Sequence, residues 1–141
     1  MTRELWFIGF VEKIADKEAT IRLIPQFCSG LKRIKAFSHI IVLYWAHLRD
    51  SKKERNTLLV FPKRHAVKTE TGVFACRSPS RPNPIGFCVA EVVRVGDCEL
   101  VVKGIDAYEG TPIIDIKPYI PETDSIHDAR VPKWTANRSP T

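Results

Sequence analysis

The sequence predicts a mostly β protein, a single-domain β-barrel with short helical insertions, and three observations carry that expectation. Short runs rich in Val, Ile, Phe, Tyr and Trp recur along the chain with turn signals between them. Only residues 25–36 repeat apolar side chains (Leu31, Ile34) at helical spacing, with Phe37 continuing it. The 141 residues suffice for one compact domain and not for two comfortable ones.

The elements follow in order. LWFIGFV (5–11) and ATIRLI (19–24) read as strands around charged turn material, and 25–36 reads as a short helix. HIIVLYWAHL (39–48) is nearly continuous apolar sequence, which predicts a central strand buried on both faces. TLLVFP (57–62), GVFAC (72–76), FCVAEVVRV (87–95) and ELVVKGID (99–106) continue the set, with a hairpin turn at GDC (96–98). In FCVAEVVRV the alternation breaks down, which predicts different burial at its two ends. PIIDIKPYIP (112–121) begins as a strand and is stopped by Pro118 and Pro121. Residues 1–130 are expected to form the barrel domain, with 131–141 a tail that docks through Trp134 or frays.

Composition bounds the function. A 44% hydrophobic and 27% charged chain is globular rather than disordered, and its net charge of +6 favours anionic partners such as RNA, DNA or phosphorylated ligands. The densest basic stretch, RDSKKER (49–55), reads as a solvated loop, with an RNA-facing patch as the minority reading. No apolar run reaches the roughly 20 residues that span a bilayer, so no membrane partner is expected. The N-terminal apolar patch is interrupted by Glu12 and Lys13, unlike a signal peptide, and a cytoplasmic location is expected. Cys28, Cys76, Cys88 and Cys98 make no C-x-x-C pair and no zinc spacing with the four histidines. They are expected as buried free thiols, with no metal. Glycine-rich nucleotide loops and the G-x-S-x-G elbow are missing from the sequence.

Two stretches stand out chemically. RSPSRPNPIG (77–86) places Pro79, Pro82 and Pro84 around Arg77 and Arg81. Such a segment serves equally as a rigid strand connector, with Gly86 at an unusual dihedral, or as a preorganised clamp for carboxylate or phosphate. Asn83 adds a donor and an acceptor suited to a base edge or ribose. GIDAYEGTPIIDIKPYIP (104–121) holds Asp106, Glu109 and Asp115 near Tyr108. YEGTP reads either as a plain turn or as a carboxylate and ring facing a cationic or nucleoside ligand. His47 ends an apolar run as a core histidine or a pocket-lining donor, whereas His39 reads as structural and FPKRH (61–65) as a solvated loop.

TGVFACRSPSRPNPIGFCVAEV (71–92), EGTPIIDIKPYIPETD (109–124) and FSHIIVLYWAH (37–47) resemble the signature blocks of the TrmO/YaeB (VirR-like) family, in the same order. The resemblance implies a small β-barrel that binds S-adenosylmethionine without a Rossmann fold, as a homodimer. It further implies methylation of N6 of the threonylcarbamoyl-modified adenosine beside the tRNA anticodon. The matching positions carry the family's cofactor contacts onto His47, Arg77, Phe87, Ile105, Asp106, Ala107, Tyr108 and Glu109, with Arg81 as a second candidate clamp on the cofactor carboxylate. Asp115, His47 and Tyr108 are unranked candidates for receiving the N6 proton. Cys76 and Glu109 stand where the family usually has Thr and Asp, and a Pro-rich segment that longer members carry after the first strand is missing. Alternatives are a cofactor- or RNA-binding barrel without catalysis, and a methyltransferase for another acceptor.

Overall fold

Residues 1–65 and 67–136 are described by the structure, a computed structural model. It is mostly β, with strands β1 (Gly9–Ala15), β2 (Glu18–Leu23), β3 (His39–Trp45), β4 (Leu59–Val60), β5 (Thr71–Gly72), β6 (Ile85–Gly96), β7 (Glu99–Lys103) and β8 (Pro112–Pro118). The α-helices among the described residues are single turns, α1 (Lys52–Arg55) and α2 (Pro121–Asp124). The chain divides into two compact units, Met1–His47 with Ile85–Pro121, and Leu48–Pro84 with Glu122–Thr141.

In the first unit six strands hydrogen-bond in the order β1-β2-β7-β6-β3-β8, and β8 returns to β1 to close the ring. Every pairing is antiparallel. Period-two alternation decides which side chains enter. In β2, Ala19, Ile21 and Leu23 are buried and their neighbours are not. Val11, Ile21, Ile40, Val42, Leu100, Val102 and Ile113, none with any exposure, form the core. Burying each such side chain stabilises by about 1.5–3 kcal/mol.

Several elements differ from the sequence expectation for identifiable reasons. The first strand starts at Gly9 and runs to Ala15, rather than covering 5–11, because its partner β2 extends to the Asp16-Lys17 turn. Both turn residues have positive φ (53° and 67°), as a tight hairpin requires. β3 is not buried on both faces: Ile40 and Val42 enter the core, while Ile41, Leu43 and Trp45 are only half-buried. A closed ring has one interior, so only alternate positions reach it. The broken alternation in 87–95 does mark a change along β6, where the register with β7 shifts between Val92 and Arg94 and leaves Val93 exposed. The expected helix at 25–36 is two 3-10 segments, Pro25–Leu31 and Ile34–Ala36, separated by Arg33 at φ 73°.

Two cysteines are not free thiols. Cys28 and Cys98 form a disulfide across 70 residues, with Cα atoms 4.7 Å apart, linking the Pro25–Leu31 segment to the β6–β7 turn. The fold supplies the proximity: β7 lies beside β2, and Leu23 N donates to Cys98 O (3.0 Å). Sequence spacing holds no trace of a contact made by a sheet neighbour. Cys76 and Cys88 are free and half-buried.

In the second unit β4 and β5 pair through Leu59↔Gly72 and Val60↔Thr71. The strands expected over 57–62 and 72–76 shrink to these two residues each, and Val73–Ala75 turns into a 3-10 segment that buries Val73. Trp134, within the 3-10 segment Lys133–Ala136, meets the His65 ring edge-on at 5.3 Å, so the tail docks there. The end of the expected tail, 137–141, lies outside the described residues.

Denatured, unreduced protein is expected to titrate two thiols, those of Cys76 and Cys88. Reduction should lower the unfolding free energy by about 2–4 kcal/mol. Titration of all four before reduction would remove the cross-link.

A second expectation concerns acid. Glu99 accepts from Arg94 (2.9 Å) and Arg22 (2.7 Å), which hold its carboxyl below the ordinary carboxylate value. The unfolded chain binds this proton more readily. The ion cluster therefore stabilises above the ordinary carboxylate value and is lost as pH falls through the depressed one. Glu99→Gln should flatten that acid limb in denaturation curves; an unchanged limb would rule out the contribution.

Candidate functional site

In the first unit the candidate segments meet at one end of the ring. Tyr44 in β3 stands directly opposite Gly86 in β6. A Cβ on Gly86 would lie 2.2 Å from the Tyr44 ring, so the glycine makes room for the ring rather than supplying an unusual dihedral. Tyr44 OH donates to Asp106 O at 2.7 Å, tying the connection after β7 to the sheet. Cys88, two residues beyond Gly86, lies beside the same residue. Burial pushes its thiol pKa up, and the Asp106 carboxylate adds to the rise against the Asp106 backbone hydrogen bond.

The 105–109 connection alternates as an extended chain. Ile105 and Ala107 pack against the core, whereas Asp106 and Tyr108 face outward, Tyr108 at 71% exposure. A turn follows in which Thr111 N donates to Tyr108 O (3.1 Å), with Gly110 at φ 87°. The plain-turn reading of YEGTP therefore holds for its backbone. Glu109 accepts from Ile14 N through Oε1 at 2.9 Å, fastening the turn to β1. Phe87 points to the opposite side of β6 from Cys88 and is 47% exposed, in a row with Ile85 and Val89. Asp115 is paired with Lys117 at 2.9 Å, which raises the Lys117 pKa, and also accepts from Ile116 N. His47, half-buried, begins the 3-10 turn His47–Arg49. The structure thus brings Tyr44, Gly86, Cys88 and Asp106 together and leaves Phe87 and Asp115 on other faces.

In the second unit RSPSRPNP is a braced loop. Arg81 turns inward, its Nη1 donating to Cys76 O (3.2 Å) and Ser78 O (2.9 Å). Its guanidinium is turned onto the loop's own backbone; the Arg77 side chain is exposed. Pro84 is fully buried, and Ser80 is 6% exposed. Ser80 accepts from Arg49 Nη2 at 2.9 Å and donates to Glu54, which is ion-paired with Arg49. Arg55 Nε donates to Pro82 O (2.6 Å) and Nη2 to Asn83 Oδ1 (3.1 Å).

RDSKKER is solvent-exposed as expected, Glu54 excepted, but ordered rather than a plain loop: Ser51 caps α1 by accepting from Glu54 N, and the turn aims Arg49, Glu54 and Arg55 at the 77–83 loop. Sequence reasoning missed these braces and Tyr44. A hydroxyl-bearing ring in an apolar strand and an N-cap serine three residues before a glutamate were the available signals.

A closed six-stranded antiparallel ring carrying a proline-stiffened, arginine-braced loop defines a small β class without a nucleotide-binding glycine loop. The family model described as tRNA-methyltransferase O N-terminal domain matches residues 11–125, and the chain belongs to that family. It is 41% identical over 114 residues to a "Probable S-adenosyl-L-methionine-binding protein" of Methanothermobacter thermautotrophicus, covering 81% of this chain and 78% of that one. A protein of Pyrococcus abyssi with the same description is 44% identical over 116 residues, covering 82% of this chain and 60% of that one. The crystal structure of TrmO from Pseudomonas aeruginosa superposes with a TM-score of 0.75 at 28% identity, covering 100% of this chain and 66% of that one. The chain thus spans less than two thirds of the two longer proteins.

Gly86→Ala should destabilise by about 1–3 kcal/mol through overpacking against Tyr44. In a Tyr44→Ala background the same change should cost less, measured by a double-mutant cycle in denaturant. Equal cost in both backgrounds would contradict the close approach.

Proposed function

We propose that this chain binds S-adenosylmethionine and is a methyltransferase acting on tRNA, at N6 of the threonylcarbamoyl-modified adenosine. The observation that carries the reading is the braced 77–83 loop, whose backbone Arg81 and Arg55 hold through its carbonyls and which bears the exposed Arg77 side chain. A guanidinium held that way suits a carboxylate, which the cofactor's amino-acid end provides. Membership of the tRNA-methyltransferase O family and the relatives' names support the same ligand.

The donor set fits the cofactor. Arg77 would hold the carboxylate. The outward Asp106, whose backbone Tyr44 fixes, and the exposed Tyr108 would face ribose hydroxyls and ring. Ile105, Ala107, Glu109, His47 and Phe87 are the further proposed contacts. Arg81 acts through the loop rather than on the ligand. When bound, the cofactor supplies an electrophilic methyl carbon for in-line transfer. The chain's own contribution is alignment: within each unit a fixed backbone, 105–109 in the first and 77–83 in the second, orients the side chains it presents to the cofactor. The acceptor loses its N6 proton to His47, Tyr108, Asp115 or water.

The six-stranded ring is proposed as the family's β-barrel, within a functional domain of residues 1–130, in a cytoplasmic homodimer. The outer row Ile85, Phe87 and Val89, 41%, 47% and 39% exposed, supports a protein-covered face.

Calorimetry with S-adenosylhomocysteine should give saturable binding, and Arg77→Ala should weaken it tenfold to a hundredfold, the effect of losing a charge-assisted hydrogen bond worth about 1.5–3 kcal/mol. Arg77→Lys should also weaken it. No heat at millimolar ligand would end the cofactor reading. Transfer of labelled methyl to bulk tRNA tests the acceptor separately: binding without labelling would leave a cofactor-binding protein with another acceptor or none.

A further inference from the structure

Asn83 is an exposed side chain of this loop whose orientation is imposed from outside it. Asn83 lies between Pro82 and Pro84, so its neighbours fix the local backbone. Arg55 Nη2 donates to its side chain at 3.1 Å while Nε of the same guanidinium donates to Pro82 O at 2.6 Å. A guanidinium carries only donors, so the atom of Asn83 that meets it must be the carbonyl oxygen Oδ1. The amide's other end, Nδ2, is then the end turned away from Arg55, and it can only donate. No described residue accepts from it. Arg55 sits on α1, which Ser51 caps and which Arg49 and Glu54 join to the buried Ser80. The bracket is thus held at both ends.

We propose that Arg55 is a positioning residue that locks the Asn83 amide, so that Asn83 is a specificity-determining donor to a hydrogen-bond acceptor on the bound cofactor. Without Arg55 the amide is free to flip and offers donor and acceptor alike. With it, the outward end of the Asn83 side chain is a donor only. Such a surface selects a carboxylate or a ring nitrogen and disfavours a donor. The assignment rests on the reading above that this loop contacts the cofactor.

Asn83→Asp separates positioning from recognition. A carboxylate has the same shape, still accepts from Arg55, and does so with charge assistance, so the bracket persists. Its outward atom becomes an acceptor. With S-adenosylhomocysteine as probe, Asn83→Asp should bind at least tenfold more weakly at an unchanged or higher thermal midpoint. Arg55→Ala should weaken binding, and Arg55→Lys, which keeps one donor contact and loses the fork, should fall between Arg55→Ala and the parent. 5′-Methylthioadenosine, which lacks the amino-acid end, locates the acceptor. A loss confined to S-adenosylhomocysteine places Asn83 on the carboxylate, and an equal loss on both probes places it on the nucleoside; both support the proposal.

Parental affinity in Asn83→Asp, with Arg77→Ala weakened, overturns the Asn83 assignment and leaves the cofactor reading standing. Parental affinity in Arg77→Ala as well overturns both. Should Asn83→Asp fail to fold, Asn83→Ala takes its place, and unchanged binding there is equally fatal.

Discussion

Closure of the ring is the constraint on which the remaining geometry hangs. β1 and β8 share only the pairs Gly9↔Ile113 and Phe10↔Pro112, so strand pairing alone closes a short seam. The turn before β8 extends it. Gly110 N donates to Val11 O (2.7 Å), Val11 N to Thr111 O (2.9 Å), and Ile14 N to the Glu109 carboxylate. A sheet left open there would expose two unpaired strand edges. The segment that seals it also carries Asp106 and Tyr108, so those residues inherit the rigidity of the closed ring. Tyr44 adds the second tether, from the other side of β8, where β3 pairs.

The second unit reaches rigidity by a different route. Its paired strands are two residues long, too short to order a loop by ladder hydrogen bonds. Prolines limit what the 77–84 backbone can do, and arginines choose among what is left. Arg81 satisfies carbonyls within the loop, and Arg55 satisfies one that Pro82 would otherwise present to solvent. Ser80 is buried because Arg49 and Glu54 meet both its donor and its acceptor needs. Arginine suits this work because one planar fork can serve two carbonyls at fixed spacing.

How much of this was legible depended on whether a feature is local. Strand-rich runs, the GDC hairpin, the stop at Pro118 and the YEGTP turn are written in neighbouring residues, and the structure has them. Burial of β3 on one face only, the Cys28–Cys98 link and the Tyr44–Gly86 contact are set by which strands become neighbours, information that periodicity does not contain. RDSKKER is exposed as its composition suggests, but its bracing was hidden for a related reason. The partners of Arg49 and Arg55 lie about thirty residues downstream, and a charged run with distant partners reads like one without any. Arg77 and Arg81, four apart in one motif, look equivalent in the sequence, and only the fold shows Arg81 turned onto the loop's own carbonyls.

Glu109 shows how a small departure from a family pattern can be read physically. The resemblance leads one to expect Asp at this position, and the added methylene moves the carboxylate outward by about 1.5 Å. Here that reach ends on Ile14 N, beyond the point where the β1–β2 register shifts between Val11 and Lys13. Ile14 itself stays in the ladder, opposite Ala19 of β2, and its N–H donates to the longer side chain. An aspartate would fall short and leave the seam with its backbone bonds alone. The substitution therefore trades side-chain freedom at the turn for a stronger closure. The charge is retained, and its position is dictated by β1 rather than by whatever binds beside Tyr108.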